Sequence, residues 1–175
     1  MVKSLLKLLN RGDAMISMIA AIGKKRELGR NNQLIWHIPK DMQFFKDQTM
    51  GKPMVMGYNT FYSLRGGKPL PGRHHIILTS RTIEKNPQIT VVRSMDELLQ
   101  FIEDYGREVM VIGGAKVYNS MLEYADKLIL TEIDAEDKDA DVYFPVFNRE
   151  DWLCEELSSN TENDISYKHL VYTRK

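Results

Sequence analysis

Short apolar runs alternate with amphipathic stretches along this chain. Residues 15–23 (MISMIAAIG) are apolar almost without interruption, as a strand covered on both faces requires. The same signal returns at 53–57 (PMVMG), 75–79 (HIILT), 89–92 (ITVV), 109–112 (VMVI) and 127–133 (KLILTEI). Between these runs the pattern shifts towards the helical period. Pro39 opens a helix over 39–49: its ring presets φ, its missing N–H is not needed in a first turn, and Gly51 and Pro53 close the segment. A second, short helix is expected over 58–65. Ser94-Met95-Asp96-Glu97 has the spacing of a capping box and opens a third, with Leu98, Leu99, Phe101 and Ile102 as its apolar stripe and Gly106 as its stop. A fourth is expected from about 115 to 124. Residues 24–33, polar and containing Gly29 and Asn31-Asn32, read as a long mobile loop, while 66–72 (GGKPLPG) and the acidic 134–141 read as turns. Residues 152–157 and 166–172 alternate more clearly and suit a closing antiparallel pair.

Strands alternating with helices predict an α/β fold: a mostly parallel central sheet, helices on both faces, and an antiparallel C-terminal hairpin. The 175 residues show no internal repeat or linker, so 15–175 is expected to be one domain and 1–14 an N-terminal extension. Within that extension Leu5, Leu6, Leu8 and Leu9, with Lys3, Lys7 and Arg11, make two turns of a basic amphipathic helix. Lys7 breaks its apolar run and no small-residue cleavage site follows, so a secretory signal fits poorly.

Composition narrows the function classes. Twenty-four basic and twenty-four acidic residues cancel, and no basic stripe is interleaved with aromatics, so nucleic acid is not an expected partner. No apolar run has bilayer length, which argues against a membrane partner. The one cysteine, Cys154, rules out an internal disulfide and a multi-cysteine metal site and fits a reducing, cytoplasmic compartment. His37, His74, His75 and His169 lack ligand spacing, so no metal is expected. A monomer is expected.

Candidate chemistry concentrates at a few positions. Asp41 falls in the first turn of the 39–49 helix among Trp36, Ile38, Met42, Phe44 and Phe45. Two readings are open: an acid complementing the helix dipole in water, or a lone carboxylate at the wall of an apolar cleft, placed for proton transfer. Gly113-Gly114-Ala115-Lys116-Val117-Tyr118 follows a strand and opens a helix, where free N–H groups can meet a phosphate or the glycines can simply make a tight turn. It is not GxGxxG, which weakens a conventional dinucleotide-fold reading. Gly57-Tyr58-Asn59-Thr60 is a second junction of the same kind; facing the first, it would clamp a pyrophosphate. Thr79-Ser80-Arg81 offers two hydroxyls and a guanidinium to a phosphate monoester, or is an ordinary strand end. Arg73, on the stiffened turn after Pro69-Leu70-Pro71-Gly72, suits a carboxylate or is a solvated loop arginine.

Taken in order, these motifs resemble the bacterial-type dihydrofolate reductase family. The carrying residues are Ile19-Ala20-Ala21, the stretch from Gly29 to Trp36, Pro39-x-Asp41-x-x-x-Phe45-Lys46, Pro53-Met54-Val55-Met56-Gly57, and Pro69 to Arg73. They continue in Val111-Ile112-Gly113-Gly114-Ala115-x-Val117-Tyr118 and Leu130-Thr131-x-Ile133-Asp134. The resemblance spans residue 15 to the C-terminus. It implies reduction of 7,8-dihydrofolate to tetrahydrofolate with NADPH, supplying one-carbon metabolism, and implies these roles. Asp41, supported by Thr131 and near Trp36, would bind the pterin and promote protonation of N5. Ile19, Ala20, Met42, Phe45 and Ile112 would line the pterin pocket, and Arg73 would bind the glutamyl α-carboxylate. Ala21, Ile22, Leu28, Gly29 and Leu34 would meet the nicotinamide side of the cofactor. Gly57, Asn59, Thr60, Gly113, Gly114, Ala115, Lys116, Val117 and Tyr118 would surround its pyrophosphate, with a cis Gly113-Gly114 peptide and a mobile flap over 24–35. Tyr58 stands where many bacterial members carry a basic residue, which leaves the ribose phosphate to Thr79, Ser80 and Arg81. Two alternatives differ in class: the related pyrimidine reductase of riboflavin synthesis, and a non-catalytic pterin- or nucleotide-binding module. Asp41 with Phe45, and Arg73 for a glutamyl tail, favour the folate reading.

Overall fold

The computed structural model describes residues 12–175. The basic amphipathic helix expected at the start of the chain lies outside the described residues. The described chain opens with β1 (Met15–Ile22), β2 (Glu27–Arg30) and β3 (Gln33–Leu34), then α1 (Pro39–Thr49), β4 (Met54–Gly57) and α2 (Tyr58–Arg65). It continues with β5 (His75–Leu78), β6 (Ile89–Val92), α3 (Met95–Tyr105), β7 (Glu108–Gly113), α4 (Ala115–Met121) and β8 (Lys127–Ile133). After β9 (Val142–Tyr143) come the long strands β10 (Trp152–Glu162) and β11 (Ile165–Arg174).

Eight strands share one sheet in the order β10-β11-β8-β1-β7-β4-β5-β6. Strands β8 to β6 of that order run parallel, while β11 pairs antiparallel with both β8 and β10. Alternation along each strand sorts side chains onto two faces. Ile16 and Met18 of β1, Val109 and Val111 of β7, and Leu128 and Leu130 of β8 join α3 and α4 in one buried cluster. Ile19, Met110, Ile112 and Ile129 point the other way, where Phe44 and Phe45 of α1 and Phe61 of α2 cover them. Helices thus lie on both faces, as the pattern predicts.

Local signals account for the helix ends. Pro39 is the first helical residue of α1, with Ile38 as an extended N-cap. Ser94 Oγ accepts from the Glu97 N–H, but the reciprocal bond of a capping box is shifted by one: Glu97 Oε2 accepts from the Arg93 N–H, 2.7 Å away, not from Ser94. Gly106, left-handed with φ 68°, ends α3. The fourth helix is shorter than expected, since after Met121 the chain tightens into a 3-10 turn over Leu122–Tyr124.

Two expectations need correction. Residues 24–33 are not a featureless loop: β2 pairs with β3 and with β9 in a separate three-stranded sheet. Buried Glu27 ties this flap down, its carboxylate accepting from the backbone N–H of Lys25 (2.6 Å) and of Asp137 (2.8 Å). The C-terminal hairpin is also longer than the alternation showed, reaching a two-residue turn at Asn163-Asp164 with φ 52° and 61°. Both residues in the left-handed region match the right-handed twist of the flanking strands.

At the opposite end of the sheet from the glycine-rich turn, Glu108 joins three strands and a loop. Its carboxylate accepts from Ser17 Oγ (2.6 Å) and Lys52 Nζ (2.6 Å), with Lys127 Nζ at 3.8 Å. Burial alone would raise its pKa; the Lys52 ammonium, the Ser17 hydroxyl and the Lys127 charge outweigh it and hold the carboxyl below its ordinary value. The folded-state pKa is therefore depressed, and the stabilisation is present above the ordinary carboxylate value and lost as pH falls through the depressed one. Glu108→Gln is expected to cost about 1–2 kcal/mol at neutral pH. Urea titrations should show that difference closing below about pH 4; a pH-independent difference would refute the charge-based account.

Candidate active site

The chemistry-bearing residues gather at the carboxyl ends of the parallel strands, where open α/β sheets place their ligands. Thr131 is near the end of β8, Gly57 and Gly113 end β4 and β7, and Ile19 to Ile22 complete β1.

Alternation decides what Asp41 meets. Thr131 follows Ile129 on the α1 face of β8. His169 sits directly opposite Thr131 in the β8–β11 register and therefore shares that face. α1 crosses above with Asp41 in its first turn. Thr131 Oγ1 donates to Asp41 Oδ1 at 2.5 Å, and His169 Nε2 lies 2.9 Å from the same oxygen. The His169 ring is buried and stacks on Phe44, centroids 3.7 Å apart and planes 10° from parallel. Asp41 is neither a solvated surface acid nor alone: it is a partly buried carboxylate with one oxygen held from two strands.

Sequence reasoning named Thr131 for this role but passed over His169 once no metal spacing appeared. A signal existed. Tyr167, His169 and Tyr172 are buried positions of the closing strand, and a buried imidazole needs polar partners.

The apolar residues named from the sequence fall in different places. Ile19, Ile112 and Phe45 lie in one cluster with Phe44. Ala20 packs against the cluster on the other face, and Met42 is half exposed. Trp36 packs with Ala21, Ile38, Ile133 and Tyr167 beside the site, its ring against Gly23. Ile22 is buried, Leu28 half-buried, and Leu34 is 71% exposed on the flap, paired with Gly29.

The two strand-to-helix junctions do face each other. A Cβ built on Gly114 would lie 3.2 Å from Thr60 Oγ1, and one on Gly57 would lie 3.4 Å from Val117 Cγ2. The Gly113-Gly114 peptide is cis, with φ 125° at Gly113. The Tyr118 ring backs Gly113, and its hydroxyl donates to the Ile19 carbonyl at 2.6 Å, which joins the turn to β1. Burial pushes this phenol well above its ordinary pKa, so it stays a donor. Ala115 is half-buried, and Lys116 and Asn59 are exposed beside the turn.

At the end of β5, Thr79 Oγ1 accepts from the Arg81 N–H, and the Arg81 guanidinium lies 4.7 Å above the Tyr58 ring. Tyr58 thus steadies a cation instead of supplying one. Arg93, which the sequence did not single out, donates to the carbonyls of Thr79 (3.0 Å) and Arg81 (2.6 Å) and fixes the path of this segment around Ser80.

Arg73 is buried, not a solvated loop arginine. Its Nη1 donates to buried Thr49 Oγ1 (3.2 Å) and its Nε to the Pro71 carbonyl (3.0 Å). Burial draws its pKa below the ordinary value. It has no carboxylate partner among the described residues, so its charge is available to an anion.

This arrangement defines an α/β protein with a partly buried carboxylate, held by Thr131 and His169, at the same end of the sheet as a glycine-lined double junction. Comparison with known proteins gives the family. The family model for dihydrofolate reductase matches residues 15–174. The dihydrofolate reductase of Bacillus subtilis (strain 168) is 37% identical over 164 residues, covering 92% of this chain and 95% of the relative. That of Haemophilus influenzae (strain ATCC 51907 / DSM 11121 / KW20 / Rd) is 36% identical over 162 residues, covering 91% and 98%. A solved dihydrofolate reductase from Enterococcus faecalis, complexed with NADP(H) and RAB-propyl, superposes with a TM-score of 0.81 at 27% identity, covering 94% of this chain and 98% of that one. The chain belongs to the dihydrofolate reductase family, whose members are NADPH-dependent oxidoreductases.

Proposed function

We propose that this chain reduces 7,8-dihydrofolate to 5,6,7,8-tetrahydrofolate with NADPH, and that Asp41 is its proton-handling acid. The observation that carries the assignment is the carboxylate's geometry: Thr131 and His169 occupy Oδ1, leaving Oδ2 to face a substrate. A pterin-type ring presents an amino group and a ring N–H side by side, an edge of donors from which Oδ2 can accept. Ile19, Ile112, Phe44 and Phe45 exclude water around it, so the interaction acts in a low-dielectric cleft. Asp41 then orients the ring and promotes protonation of its N5.

The residues fit a dinucleotide phosphate. A pyrophosphate needs backbone N–H groups with no side chain in front of them, and a Cβ on Gly114 would press on Thr60 Oγ1 at 3.2 Å. Arg81, steadied on Tyr58, with Thr79 and Ser80 would hold a ribose phosphate monoester. Ala21, Ile22 and Leu28, with Gly29 and Leu34 of the flap, would border the nicotinamide, and Lys116 and Asn59 the diphosphate. The bound cofactor supplies the hydride. The buried cation of Arg73 would hold the carboxylate of the substrate's glutamyl tail, a feature that a ribityl pyrimidine does not require.

The test is cofactor absorbance over time with purified protein and 7,8-dihydrofolate. Oxidation should require dihydrofolate and run at least about tenfold faster with NADPH than with NADH at equal low concentration, since one guanidinium–phosphate contact is lost. Tight NADPH binding without turnover would refute the reductase reading and favour a binding module.

A further inference from the structure

The hydrogen-bond chain behind Asp41 extends further than the acid and its threonine. Asn160 Nδ2 donates to Ser158 Oγ (2.9 Å), and Ser158 Oγ lies 3.1 Å from His169 Nδ1. Having accepted from Asn160, the Ser158 hydroxyl still has one proton and one lone pair, so it can either donate to Nδ1 or accept from it. The Asp41 carboxylate oxygen only accepts, so the imidazole proton is on Nε2, pointing at Oδ1, and in the neutral ring Nδ1 is left to accept from Ser158. Donation runs from Asn160 through Ser158 and His169 to Asp41, which accepts, with Thr131 donating to it from the other side.

A β-bulge builds this chain. The β10–β11 register shifts between Glu156 and Ser158. Before the shift, Trp152 and Glu156 lie opposite Arg174 and Leu170, on the α3–α4 face with Leu170. After it, Ser158 lies opposite His169 and Asn160 opposite Tyr167, on the α1 face. Without the extra residue, Leu157 would face His169 and offer it nothing.

We propose that His169 is a positioning residue for the reaction: in one fixed tautomer it locks the Asp41 carboxylate so that Oδ2 alone meets the substrate. The proposal rests on the Asp41 reading above. The ionisable groups against the imidazole are Asp41 on α1 and Tyr167 on its own strand, with Glu162 of β10 beyond them, its carboxylate accepting from the Lys40 N–H. β8 presents the neutral hydroxyl of Thr131.

The test separates hydrogen bonding from packing. His169→Phe keeps an aromatic ring over Phe44 and loses the N–H. It should lower kcat by about tenfold, since small displacements of a reacting group carry large rate costs, with KM for NADPH unchanged. His169→Gln, whose amide N–H reaches towards the Nε2 position, should recover most of that loss. Ser158→Ala, at a half-buried strand position, removes the donor to Nδ1 and should cost about two- to threefold. In an Asp41→Asn background, His169→Phe should cost less than about twofold, because its effect passes through the carboxylate. Wild-type kcat in His169→Phe, an unrescued His169→Gln, or an equal tenfold loss in both backgrounds would each overturn the proposal. Failure of the Asp41 reading would show instead as an Asp41→Asn deficit that does not change with pH, whatever His169→Phe does.

Discussion

Asp41→Asn is expected to lower turnover by about a hundredfold at neutral pH, the lower range for loss of a positioned proton donor or acceptor. Asparagine keeps the shape, and its carbonyl oxygen still accepts from Thr131 Oγ1 and His169 Nε2, so the cradle at the α1 N-terminus survives. What goes is the charge and the ability to deliver a proton towards N5. The deficit should shrink as pH falls, because solvent increasingly protonates the substrate without help. KM for NADPH should stay within about twofold, since the double junction at Gly57 and Gly114 lies on other strands. Turnover of both proteins across the pH range checks this. A deficit of constant size from acid to alkaline pH would mean that Asp41 only binds.

Gly113→Ala should be a strongly damaging single-methyl change on the cofactor side. The residue adopts φ 125°, where an L-side chain is strained, and the new Cβ would sit 3.3 Å from the Tyr118 ring. Tyr118 has little room to retreat, being buried and held by its hydroxyl to the Ile19 carbonyl. Strain and contact together should cost about 2–3 kcal/mol. That corresponds to a Tm lower by about 4–12 °C for a chain of this size. The turn must also shift, so KM for NADPH should rise by about tenfold or more. Gly51→Ala is the control: φ there is 76° with nothing within 4 Å of the new methyl, so only backbone strain operates. Equal melting-temperature losses for the two would show that the Tyr118 contact adds nothing.

Strongly punctuated elements were legible from the sequence. Pro39, the Ser94–Glu97 spacing and Gly106 each act within one turn of the helix they bound, so the pattern carries the information. The flap strands escaped detection because β3 and β9 are two residues long and β2 finds β9 only across the fold, with Glu27 opposite Tyr143. Beyond Leu157 the hairpin lost its apolar signal for another reason: β10 is an edge strand, largely exposed, and pairing with β11 rather than burial keeps it extended. Of the candidate site, the acid, its threonine and the glycine turn could be read from residue order. His169 could not, because its meaning depends on sheet register: 128 positions separate it from Asp41, and only the pairing with Thr131 brings them together.

The bulge at Leu157 has a consequence for how this chain tolerates changes in length. Exposed segments far from a cleft ordinarily absorb the loss or gain of one residue with little effect. Here, deleting Leu157 would only remove the bulge and leave Ser158 opposite His169, whereas deleting exposed Ser159 would turn Asn160 to the opposite side of the ribbon, away from Ser158 and His169. A single-codon deletion on a solvent-facing edge would thus reach the reaction centre without altering any residue that touches substrate. The two-residue turn at Asn163-Asp164, beyond those positions, is where β10 and β11 can change length while the cleft keeps its geometry.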